Sequence, residues 1–153
     1  MTTTLTLPQA IRLGATLKPQ HHDPYRFYVK KGPFTLFGRG LGTVCSCVMG
    51  AAADAIGLDT ERVDGQYGWP PEWATFLTEP VTSPVSGLVD DGYTVILDLN
   101  DCYRWTREAI ADWVDDVEHT RAAIRVASEG AIGGRIGQRT LNGLGETRSK
   151  IST

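Results

Sequence analysis

The stretch TVILDLNDCYRWTREAIADWVDDVE, residues 94–118, decides how the chain is read. Val95, Leu97 and Leu99 alternate with Ile96 and Asp98, and five of the six residues from Thr94 to Leu99 suit a buried strand. Asn100-Asp101 breaks that run, as short polar side chains do when they form Asx-turns. Thr106 then has the chemistry of a helix cap, and Glu108 sits in the first turn, where a negative charge meets the positive helix end. Trp105 and Ile110 have hydrophobic-staple spacing. Ile110, Trp113, Val114 and Val117 fall at i, i+3, i+4 and i+7, which predicts one apolar face with Trp113 buried at its centre. The order reads strand, sharp loop, amphipathic helix.

Towards the N-terminus, Leu7 to Leu17 predicts a first helix, with Pro8 in the first turn and Lys18-Pro19 ending it. Tyr25, Phe27 and Val29 alternate with polar neighbours, Lys31-Gly32-Pro33 is a turn, and Phe34 to Phe37 suits a return strand. The segment CSCVMGAAADAIG predicts a short, tightly packing helix capped by Ser46 and closed by Gly57. Trp73, Phe76 and Leu77 fit one or two helical turns after the rigid Trp69-Pro70-Pro71. Residues 79–91 hold two prolines, one glycine and few large apolar residues, and read as loop. Beyond Ser128, six glycines between Gly130 and Gly145 predict that helical character fades. The expected fold is therefore α+β: one small domain over residues 1–128, a hairpin or small sheet packed by two or three helices, and a Gly-rich tail over 129–153 that is flexible or ordered by a partner.

Charge narrows the partners. The net charge of -3 hides nine acidic residues against two arginines between Ser83 and Glu118, while residues 128–153 carry a net +2. An acidic body argues against a broad nucleic-acid surface. With no apolar run near the roughly 18 residues of a membrane span, no membrane partner is expected. Three cysteines, two of them Cys45 and Cys47, make no disulfide framework, and the start MTTTLTLPQAIRL has no signal-peptide pattern. The expected location is the cytoplasm of a bacterial cell, with a virion as the alternative.

Cys47, at the start of a helix, is placed where the helix end favours a thiolate, the arrangement of a catalytic nucleophile with Asp101 as a further candidate. The opposing reading is a small buried thiol among Val48, Met49, Gly50 and Ala51. The spacing of Cys45, Cys47 and Cys102 with His21, His22 and His119 is a poor zinc pattern, so no metal and no cofactor are expected. The interaction candidates are Trp69, held outward by two prolines, the acidic Asp112, Asp115 and Asp116, and Arg135 and Arg139 on a tail that serves as an arm.

Four pieces resemble a family of small uncharacterised proteins from bacterial and phage genomes: residues 5–20, CVMGAAADAIG at 47–57, Trp69-Pro70, and the 95–118 stretch with its L-N-D-x-x-x-W-T-R-E-x-I-A-D-W motif. A C-P-x-C-like turn and a histidine of that pattern correspond here to Ser83-Pro84-Val85-Ser86 and Tyr103, so metal or cysteine chemistry of relatives does not carry over. The resemblance implies a phage or prophage origin. The function expected is a non-enzymatic, protein-binding accessory protein acting on a host or phage protein or on another copy of itself. The alternatives are a cysteine-dependent hydrolase or transferase using Cys47, and a virion or assembly component using its C-terminal arm.

Overall fold

The computed structural model describes residues 5–24, 26–31 and 43–142, with backbone alone for Lys31 and residues 131–142. The elements run α1 Leu7–Ala15, β1 Tyr28–Lys31, β2 Thr43–Ser46, α2 Val48–Ile56, α3 Pro71–Thr78, β3 Pro80–Thr82, β4 Val89–Asp91, α4 Gly92–Asp101 and α5 Arg107–Asn142, with a short 3-10 turn at Thr60–Arg62. Two small antiparallel ladders, β1 with β2 and β3 with β4, pack beside the helices. The fold is α+β.

α1 starts as expected. Thr6 and Gln9 form a capping box, and Pro8 occupies the first turn, where no backbone donor is lost. Leu7, Ala10 and Ile11 are buried on its inner side. Gly14 lets the α2 backbone approach: a Cβ there would lie 1.8 Å from the Ala51 carbonyl oxygen, which no side chain tolerates. Lys18 then pairs with Asp54 at 2.7 Å and stacks over the Tyr28 ring, 4.7 Å from its centroid. Gly57 closes α2 in the left-handed region at φ 66°, the conformation glycine reaches without a Cβ penalty.

Four expectations are corrected. The run Thr94–Leu99 is not a strand but the middle of α4. Asp91 caps that helix through the Thr94 N–H at 2.8 Å and the Thr94 hydroxyl at 3.0 Å. Gly92, Val95, Ile96 and Leu99 are buried at i, i+3, i+4 and i+7, so the helical period, supported by a cap, prevails over the β-propensity of four residues. Residues 79–91 are not wholly loop but carry the β3–β4 hairpin, whose turn is closed by the Ser83 hydroxyl accepting from the Val85 and Ser86 N–H groups. Helical backbone does not fade at Ser128 but continues to Asn142. Each glycine costs about 1 kcal/mol in a helix, yet none removes a hydrogen bond as proline does, and no proline lies in this span. Trp113 is half-buried at the flank of its stripe, edge-on to Phe76 at 5.7 Å, while Ile110, Ala111 and Val114 are the fully buried members. The return strand expected at Phe34–Phe37 lies outside the described residues, and β1 pairs with Thr43–Ser46.

The packed unit ends at Val117, and residues 118–153 form a second unit. Among the described residues, no helix is long and apolar enough to cross a membrane. Where Thr106 was expected to cap α5, its hydroxyl accepts the Ala109 N–H at 3.2 Å.

Candidate functional site

α4 has two working faces. Opposite its core side, Thr94, Leu97, Asp98 and Asp101 follow one another at i, i+3, i+4 and i+7 and line a cavity of about 430 Å³. Pro24, Arg26 and Phe27 form the facing wall, with Cys47, Gly65, Tyr93 and Cys102 completing it. Cys47 is buried, Phe27, Tyr93, Leu97 and Asp101 are half-buried, and Asp98 and Arg26 are exposed. The lining is thus largely apolar, with Asp98 and Arg26 exposed and Asp101 half-buried, the usual mix of a ligand site.

Local sequence explains each placement. Ser46 cannot cap α2 as expected, because its backbone is engaged on both sides: its N–H donates to the Pro19 carbonyl at 2.9 Å and its carbonyl accepts from the His21 N–H at 3.2 Å. Cys47 takes the cap instead, its sulfur accepting the Gly50 N–H at 3.3 Å. Burial pushes the thiol up to about 11, with the Asp101 charge pushing the same way against the helix N–H groups and Arg107. The helix start therefore does not yield a thiolate near neutral pH. Tyr93 is raised to about 12, first by burial, and stays a neutral hydroxyl.

A buried polar knot holds the cavity wall. The Asn100 amide donates to the His21 carbonyl at 3.0 Å and to Asp101 Oδ1 at 2.7 Å, and its Oδ1 accepts from Gln20 Nε2 at 2.9 Å. His21 accepts the Asp23 N–H at Nδ1, so Nε2 donates to the Phe27 carbonyl at 3.1 Å. His22 Nδ1 donates to the Asn100 carbonyl. The two histidines thus serve different backbone groups. Among the described residues, no three His, Cys, Asp or Glu side chains gather as they would around a metal ion. Beneath the knot, Arg107 is buried and donates to the carbonyls of Lys18 at 2.7 Å, Pro19 at 3.0 Å and Ser46, and to the Ser46 hydroxyl at 3.1 Å. Burial lowers its pKa from the ordinary arginine value.

The sequence-derived candidates are only partly gathered here. Cys47 and Asp101 do share the cavity. Trp69 is not an exposed contact but 7% accessible: its indole N–H donates to the Gly65 carbonyl at 2.9 Å, and its ring stacks on Trp73 and backs Phe27 and Tyr93. The two prolines start α3 behind it rather than holding it out. Asp112 and Asp115 pair with Arg12 of α1 at 2.6 and 2.7 Å, so that part of the acidic face is engaged within the chain, while Asp116 is exposed. Arg135 and Arg139 lie on α5 beyond the described side chains. Sequence reading missed Tyr93, Leu97 and Asp98. Their signal was present in the helical spacing that the strand assignment hid. Comparison of the chain with protein families, with curated proteins and with solved structures finds no match.

Proposed function

We propose that this chain is a non-enzymatic accessory protein that binds a protein partner, of phage or host origin, and receives part of it in the α4 cavity. One observation carries the reading. The cavity's nucleophile candidate is a buried, protonated thiol spent as a helix cap, while two aspartates, a tyrosine and apolar residues line the open space. Such groups recognise; a cysteine mechanism needs a thiolate at working pH.

Iodoacetamide kinetics test the chemical half. With its pKa pushed up to about 11 by burial, Cys47 is held as the thiol at pH 7. Exposed Cys102 is expected to alkylate first, and the Cys47 rate to climb about tenfold per pH unit. Fast modification of Cys47 at pH 6 restores the hydrolase or transferase reading. The binding half is tested by affinity capture with wild type beside Leu97→Trp, which fills the cavity. A partner retained equally by both does not use the cavity.

A second reading, an assembly component, rests on α5: Ile124 and Val126 are 63% and 70% exposed on the second unit. Light scattering on the full chain and on an Ile124→Asp/Val126→Asp variant separates the two. Multimers that the double substitution dissolves support assembly, and a monomeric wild type removes it.

A further inference from the structure

The acids of the cavity stand where a helix least favours them. Asp98 and Asp101 occupy the last turn of α4, whose carbonyl end carries partial negative charge, and no basic residue is present in that turn. Two carboxylates and one guanidinium, Arg26, line the space, so the lining is net acidic. Asp98 is exposed and Asp101 half-buried, and Phe27 and Tyr93 are among the lining residues. Local rules broken in this way concentrate at functional positions, where a bound group supplies the compensation. A cation bound by these carboxylates offsets their unfavourable place at the negative end of the helix, and an aromatic lining can add cation–π attraction. The apolar wall of Leu97 suits an alkyl stem behind the charge.

We propose that the cavity takes an arginine side chain of the protein partner, its guanidinium held by Asp98 and Asp101 and its stem against Leu97, Phe27 and Tyr93. Arginine fits better than lysine, because a planar fork can bridge two carboxylates while an ammonium acts as a point charge. Each Asp retains acceptor capacity for this: Asp101 receives the Asn100 amide on Oδ1, and Asp98 Oδ1 has the Cys102 thiol at 4.0 Å. The proposal rests on the binding reading above and names its chemistry.

N-acetyl-arginine amide and its neutral, nearly isosteric counterpart N-acetyl-citrulline amide are the probes, titrated by NMR shift changes against the full chain. Arginine is expected to shift cavity resonances at least about tenfold more tightly than citrulline, the scale of one charge-assisted hydrogen bond. Asp98→Asn/Asp101→Asn removes that preference and leaves the amide-oxygen acceptor for Asn100 in place. Its melting temperature should equal or exceed the wild-type value, because a helix-end repulsion is gone, so lost binding cannot be assigned to unfolding. Equal affinity for the two probes, or unchanged arginine binding in the double variant, overturns the proposal. If neither probe binds while Leu97→Trp still loses a captured partner, the arginine proposal falls and the binding reading stands. If the partner survives Leu97→Trp, the binding reading falls as well.

Discussion

Arg107→Met lowers stability by at least about 3 kcal/mol, although methionine keeps an apolar stem of similar reach. The guanidinium donates to the carbonyls of Lys18, Pro19 and Ser46 and to the Ser46 hydroxyl. Without it the Pro19 and Ser46 carbonyls keep the Ser46 and His21 N–H donors, and the Lys18 carbonyl loses its charged partner. Hydrogen bonds to a charged group contribute about 1.5–3 kcal/mol each. Part of that loss is offset, because the buried charge and its unpartnered Nε no longer have to be desolvated. Arg107→Lys should recover little, since one ammonium cannot reach three carbonyls in the plane of a guanidinium. Urea melts with an unchanged m-value decide it. A loss under about 1 kcal/mol for the methionine variant would mean that water or local rearrangement satisfies those carbonyls, and the clamp is then not a stability element.

Trp73→Ala carries the second large effect, about 3–5 kcal/mol, the range of large aromatic truncations in packed cores. Trp73 is 1% accessible, stacks on Trp69 with centroids 6.0 Å apart, and donates its indole N–H to the Leu5 carbonyl at 2.9 Å. Truncation opens a void under α3 and orphans an acceptor at the α1 entry. Thermal and denaturant melts measure it. Trp73→Phe loses the hydrogen bond but refills most of the space, so it should fall well short of the alanine loss. Equal losses for phenylalanine and alanine would assign the effect to the Leu5 contact rather than to packing.

Much of the helical framework was legible because its signals are local. The Thr106 cap, the Gly57 stop and the buried Ile110 and Val114 of the α5 stripe depend on residues three or four apart, and all are present. The strand assignment for Thr94–Leu99 failed because TVIL favours a sheet locally and Val-Leu-Leu alternation mimics a two-residue period over a short window. Extending the window back to Asp91-Gly92 brings in the cap and the first member of the buried row. The cavity was illegible for a different reason. Its walls join residues near 26, 47, 65 and 98, and nothing in local pattern brings such segments together. Trp69 shows the same limit: its proline neighbours suggested a held-out ring, while the decision was made by Trp73, Phe27 and Tyr93 around it.

The Asn100 knot bears on how a ligand would arrive. It fastens the last turn of α4 to Gln20 and His21, and His22 and His21 extend the fastening to the Asn100 and Phe27 carbonyls. The last turn of α4 and the Phe27 backbone, both of which contribute lining residues, therefore belong to one hydrogen-bonded network. Binding to a preorganised wall loses little receptor entropy, and backbone rearrangement is not required of it. Association should then run at the rate of encounter, accelerated at low salt by the acidic lining. Affinity differences between ligands would appear in how long each one stays.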